Sequence, residues 1–214
     1  MKKILKGLAI CLLTLFFVYE TGFAATLTTT PDPYKITMKK VRLQNAVTDE
    51  WVTVGEGDLT IDIASVNAGE LAAGYVTGNE VPEGSYDNIE VTLSTSVIIK
   101  ASCTDTGGVF AGGAAGDVWY TTSTAGVSGS VAASKTVGSY SEGTATIPST
   151  VAGVSGDTYT KTYALPTTIV VAKGSTQKVR VKFEVANSAT FQDTGLGTAV
   201  AYPSEPTVEM QIIN

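Results

Sequence analysis

The sequence predicts an all-β protein, an antiparallel β-sandwich. Two observations carry that expectation. Runs that alternate apolar and polar residues recur along the chain, from YKITMKKVRL at 34–43 to PTVEMQIIN at 206–214, and glycines and prolines mark the turns between them. Helical spacing of apolar residues is almost absent. Many short strands without helices to cover them bury their faces by packing sheet on sheet.

The chain opens MKKILKGLAICLLTLFFVYETGFA. Lys2, Lys3 and Lys6 precede an apolar run from Leu8 to Val18, and Gly22-Phe23-Ala24 puts small residues where a signal peptidase needs them. Residues 1–24 are therefore expected to be a cleaved export signal, the run being short of the roughly 20 residues that span a bilayer. Cys11 does not make a lipoprotein site, because Ile10 is the wrong size before it and the apolar run would be cut near its start. Losing Lys2, Lys3, Lys6 and Glu20 takes the balance from 14 basic and 20 acidic residues to 11 and 19, a net of −8. That charge disfavours nucleic acid and anionic membrane as partners.

ATLTTT, residues 25–30, is an extended segment of β-branched threonines before Pro31-Asp32-Pro33. The prolines uncouple it from the first core strand, so 25–33 reads as an arm able to add a strand to another subunit's sheet. Ala25, Thr26, Leu27, Thr28, Thr29 and Thr30 are accordingly inter-subunit candidates.

Residues 34–214 are expected to form one sandwich domain. In 34–43, Tyr34, Ile36 and Met38 share one parity, and Val41 and Leu43 continue on the other. A three-residue step of that kind is a β-bulge. EWVTV at 50–54 and DLTIDIA at 58–64 read as two further strands, the second setting Leu59, Ile61 and Ile63 against Asp58, Thr60 and Asp62. Residues 66–77 read as a crossing loop or short helical turn.

VPEGSYDNIEVTLS, residues 81–94, is a turn feeding a strand. Pro82 presets φ and Gly84 permits the reversal. Ile89, Val91, Leu93, Thr95, Val97 and Ile99 then share one parity as a long strand. Tyr86 lies on the other parity, which calls for an irregularity before Ile89 and places its ring under the turn.

Between Thr104 and Thr160 the texture changes to Gly, Ala, Ser and Thr, with only Asp105, Asp117, Lys135, Glu142 and Asp157 charged. Strand-like DVWYTT and GTATIPS alternate with clusters such as GGVFAGGAAG. This segment is expected to be an inserted region of hairpins. Its low charge suits packing between subunits, which adds Trp119 and Tyr120 to the inter-subunit candidates. The last third returns to regular strands. Val179, Val181, Phe183 and Val185 alternate with Lys178, Arg180, Lys182 and Glu184, the strongest alternation in the chain.

The chain has no histidine. That removes Ser-His-Asp and Cys-His relays, His-ligated zinc or copper and Cys-x-x-Cys-His haem attachment. No nucleotide-binding glycine loop is present, so no cofactor and no catalytic residue is assigned. Cys103, the one cysteine outside the signal, is expected to be buried beside Ile98 and Ile99. Asp58 and Asp62, with Glu56 nearby, suggest oxygen ligands for calcium. Alternate strand positions lie about 7 Å apart, however, too far to chelate without a loop ligand, so these acids read as a solvated strand face. The same holds for Glu80, Glu83 and Asp87. Lys178, Arg180 and Lys182 read as a solvent face or a charge-guarded edge. Trp51, Trp119 and Tyr120 are candidates for a carbohydrate platform, with Trp119 better placed and Trp51 read as core or rim.

The V-P-x-G-x-Y turn running into I-x-V-x-L at 81–93 resembles the prealbumin-like (transthyretin-like) β-sandwiches. These include carboxypeptidase regulatory domains and, most similar, an uncharacterised family of exported bacterial domains. Asp32-Pro33, Asp62-Ile63, the strand from Gly174 to Val185 and the closing strand from Pro206 to Ile213 fit the same pattern. The resemblance spans 31–101 and 164–213 and leaves 104–160 outside. It implies the sandwich fold and says little about function. Adhesin stalk domains that crosslink a lysine to an asparagine share a similar turn, with a buried acid four residues after the tyrosine. Glu90 has that spacing but alternates with Ile89 and Val91, which turns it away from the low-dielectric pocket such chemistry needs.

The functional expectation is an exported, non-catalytic structural protein. It would be a self-assembling cell-surface or extracellular filament subunit that pairs strands with other copies of itself. The alternative is a monomeric secreted binding module for glycan or calcium.

Overall fold

The computed structural model describes residues 25–65, 81–173, 178–195 and 197–213. The expected crossing at 66–77, the acid Glu80 and the turn at Gly174 lie outside them. In chain order the strands are β1 (Thr26–Thr29), β2 (Tyr34–Asn45), β3 (Trp51–Asp62), β4 (Gly84–Ser94), β5 (Ser96–Ile99), β6 (Ser102–Asp105), β7 (Asp117–Ala125), β8 (Val131–Ser134), β9 (Gly143–Thr146), β10 (Val154–Ser155), β11 (Thr158–Val171), β12 (Lys178–Glu184), β13 (Ala189–Gly195), β14 (Thr198–Pro203) and β15 (Thr207–Ile213).

The protein is all-β, with antiparallel pairing throughout these strands. One sheet runs β1-β13-β14-β8-β7-β6. The second runs β10-β11-β4-β2-β5-β9, with β3 on the other side of β2. β12 and β15 pair as a separate two-stranded ribbon.

Local sequence accounts for the second sheet closely. The pairing of β2 slips between Met38 and Lys40 against both neighbours, the bulge that the parity change required. It returns Leu43 to the inner face, where it is buried with Tyr34 and Ile36. The two short strands expected at 50–54 and 58–64 are one strand, β3, in which Gly57 takes a φ of 128°. Tyr86 is fully buried, and its hydroxyl donates to the Pro82 carbonyl at 2.9 Å, tying the strand to its own turn. Tyr86 pairs with Asn45 while Asn88 pairs with Gln44, so the expected irregularity sits at Asp87.

The long strand expected to run through Ile99 is divided at Thr95. β4 lies between β2 and β11, whereas β5 lies between β2 and β9. Thr95 serves both neighbours: its N–H donates to the Asp157 carbonyl and its carbonyl accepts from the Ile147 N–H. The shared face survives the division, and Ile89, Val97 and Ile99 are all buried.

Two apolar clusters follow from this layout. The larger lies between the sheets and joins Tyr34, Ile61 and Ile99 to Trp119, Val131 and Phe191. The smaller gathers Leu43, Val54, Tyr86, Ile89, Leu165 and Ile169 at the other end of the second sheet. The ribbon extends the β13–β14 hairpin, and Ser204 N–H donates to the Ser188 carbonyl across the join. Its register pairs Phe183 with Val208, which line a narrow crevice with Val91, Leu93, Tyr159 and Tyr163 of β4 and β11.

Residues 104–160 form hairpins that supply strands to both main sheets. They build β7 and β8 inside the first sheet, β9 and β10 in the second, and the start of β11. Trp119, Val131 and Ala145 within them are core residues. The small residues serve close approach inside the molecule. A Cβ on Gly143 would lie 2.2 Å from Val131 Cγ1 and 2.4 Å from the Thr122 carbonyl oxygen.

Candidate interaction surfaces at the first strand and the second sheet

The arm at 25–30 is docked within its own chain. β1 pairs with β13 in the register Thr26 to Gln192, Leu27 to Phe191, Thr28 to Thr190 and Thr29 to Ala189. The Ala25 carbonyl accepts from Asp193 N–H, and Thr30 Oγ1 accepts from Asn187 N–H. Alternation sets the faces: Thr26, Thr28 and Thr30 are exposed, while Ala25 and Leu27 pack against the larger cluster. The prolines do not uncouple the arm. Pro31 is fully buried, the Asp32–Pro33 peptide is cis, and Asp32 N–H donates to the Lys100 carbonyl as the chain turns from one sheet to the other. β1 is thus an edge strand of four residues.

Trp119 is 1 % exposed and is withdrawn both as an inter-subunit residue and as a sugar platform. Its ring packs against Phe110 at 5.5 Å. Tyr120 points the other way and is half-buried, 5.2 Å from the Tyr140 ring, over which Lys100 Nζ sits at 4.5 Å.

The carboxylates of the glycine-rich loop at 106–116 hold backbone. Asp105, fully buried, accepts the N–H groups of Val109 and Phe110, both at 2.9 Å. Burial pushes its pKa up, but N–H donors from Phe110, Val109, Gly108 and Gly107 outweigh that and hold it below the ordinary aspartate value. Asp117 accepts from Ala114 N–H and from Lys135, and its pKa is also lowered. Asp193 accepts from the N–H groups of Ala111 and Gly195. Cys103 is buried, and burial followed by the nearby Asp105 charge raises its pKa to about 12, so it is a neutral thiol near pH 7.

The other acids are similarly occupied. Asp62 Oδ1 accepts from Tyr34 and Ala64 N–H groups, Glu56 lies 3.3 Å from Lys40 Nζ, and Asp58 lies 3.8 Å from Lys39 Nζ. Among the described residues no three His, Cys, Asp or Glu side chains stand close enough to hold a metal ion. The side chains of Lys178, Arg180 and Lys182 lie outside the described residues, although their backbone pairs with β15.

The outer face of the second sheet collects planar polar groups. Directly opposed residues share a face, so one row runs Trp51, Gln44, Asn88, Ala164 and the next runs Thr53, Arg42, Glu90, Thr162. Arg42 Nε donates to Glu90 Oε1 at 2.8 Å, and the guanidinium carbon stands 5.2 Å from the Trp51 ring centroid. Asn88 Nδ2 donates to Gln44 Oε1 at 3.0 Å and to Asp87 Oδ1 at 2.9 Å. Glu90 does lie on the face away from Ile89, paired to a guanidinium. The row was hidden in the sequence because Trp51 meets Gln44 only once two slips in β2 and β3 have set the register.

The chain matches the family described as "Domain of unknown function (DUF4382)" over residues 30–197, a span that includes 104–160. No curated protein and no solved structure matches it.

Proposed function

We propose that this chain, which belongs to the DUF4382 family, is an exported, non-catalytic structural protein whose copies associate by exchanging β1. The signal-like residues 1–24 support export to the cell surface or beyond. One observation carries the exchange: β1 joins its sheet through a single neighbour over four residues, with Leu27 its largest apolar side chain. The same strand from a second copy offers the same threonines, the same Leu27 and the same backbone groups to β13. Exchange recovers the β1–β13 bonds in the partner and costs a new path through residues 30–33, with the Pro31 packing and Asp32–Lys100 bond that path displaces.

The test is a cysteine pair at Thr28→Cys and Thr190→Cys, which face each other across β1 and β13. Opposed residues of an antiparallel pair lie about 4.5–5.5 Å apart at Cα, within disulfide reach. Exchange predicts disulfides between chains and a ladder of covalent multimers on non-reducing gels as concentration rises. Disulfides formed only within chains at every concentration would sink the proposal.

A further inference from the structure

We infer that the outer face of the second sheet around Trp51 is a binding site for a neutral glycan. Two requirements of sugar recognition meet there. A pyranose presents a flat C–H face that stacks on an aromatic ring, and a rim of hydroxyls that both donate and accept. Trp51 is half-buried on an edge strand, its ring held by the Arg42 guanidinium. Gln44, Asn88, Arg42 and Glu90 lie beside it in two adjoining rows, each a planar group with bidentate geometry.

The side chains are already fixed by one another. The bonds from Arg42 to Glu90 and from Asn88 to Gln44 and Asp87 lock the rotamers and, among the described residues, leave Asn88 Oδ1, Glu90 Oε2 and Arg42 Nη1 for a ligand. A ligand therefore meets oriented acceptors and a donor and does not have to order them, which lowers the entropic cost of binding. The row continues past Asn88 to Ala164, whose small side chain keeps the floor low. Trp51 to Asn88 spans two interstrand spacings, about 10 Å, room for one or two sugar rings.

Charge selects the ligand class. Arg42 is paired with Glu90 and Lys40 with Glu56, so the pairs cancel across the face. An acidic polysaccharide finds no uncompensated cation among these four, and a protein surface finds no broad apolar patch among the described residues, only Trp51 with Val47 in the neighbouring turn. A neutral, hydroxyl-rich chain fits both facts. The site lies on the sheet that β1 does not join, and it stands or falls apart from strand exchange.

Fluorescence reads the site directly, because the chain has two tryptophans and Trp119 is buried. The purified protein would be titrated with neutral gluco-, xylo-, manno- and chito-oligosaccharides in the millimolar range. At least one series is expected to change the Trp51 emission saturably. Asn88→Ala should weaken that binding about tenfold, the worth of one or two lost hydrogen bonds. By calorimetry, Trp51→Ala should abolish it and Trp51→Phe should retain part of it. Three results would overturn the inference: no response from any series, binding undiminished in folded Trp51→Ala, or binding confined to acidic glycans and lost in high salt.

Discussion

Residues 104–160 and the β12–β15 ribbon make an instructive contrast. The ribbon carries the most regular alternation in the chain, yet it forms a two-stranded sheet apart from both main layers. The glycine-rich segment carries the weakest pattern, yet it supplies β7 and β8 inside the first sheet and the largest fully buried side chain, Trp119. Alternation measures how different the two faces of a strand are. It does not measure how deep the strand lies. A strand between close-packed backbones needs small residues on its inner face, and those look polar or neutral on any hydropathy scale.

Three substitutions and one control can break or sharpen that contrast. The largest effect is expected for Trp119→Ala, a loss of about 3–5 kcal/mol for emptying a large buried site. Phe183→Ala in the ribbon, partly buried, should cost about 1–2 kcal/mol. Urea unfolding of both variants decides the matter, and equal losses would make the ribbon as integral as β7. Next comes Gly143→Ala. The added methyl meets Val131 and the Thr122 carbonyl well inside contact distance, and overpacking of that kind costs about 1–3 kcal/mol. Gly138→Ala is the control, because a Cβ there has nothing within 4 Å, and its melting temperature should stay within a degree or two of the parent's.

For Asp105→Asn the informative variable is acidity. The folded-state pKa of Asp105 lies below its ordinary value. The carboxylate therefore favours the fold above about pH 4, and that contribution fades as pH falls through the folded value. Thermal melts from pH 7 downward should show parent and variant converging below about pH 4. A gap that stays constant to low pH would mean that shape, and not charge, holds the loop at 106–116.

Much of this was readable from neighbouring residues alone. The all-β class, the slip between Met38 and Val41, the irregularity after Tyr86 and the shared face from Ile89 to Ile99 are all consequences of local alternation. What stayed hidden depends on which strands meet. The low charge around DVWYTT suggested packing between subunits, and Thr121 shares parity with Trp119. Thr121 is in fact fully buried, satisfied by accepting the Ala101 N–H and donating to the Ser141 carbonyl, partners twenty residues away in either direction. Trp51 looked like core or rim for the complementary reason. Its neighbours in sequence say nothing about Gln44 and Asn88, which reach it through two interstrand registers.

Thr95 has a consequence for how the molecule comes apart. One residue lends its amide to Asp157, in the turn that starts β11, and its carbonyl to Ile147, just past β9. Neither β11 nor β9 can peel away here without stripping a backbone bond from Thr95, which is itself buried. In native-state hydrogen exchange, the Thr95 amide would therefore report opening on the β11 side and the Ile147 amide opening on the β9 side. Equal protection of the two amides would mean that β9 and β11 open together in one cooperative unit.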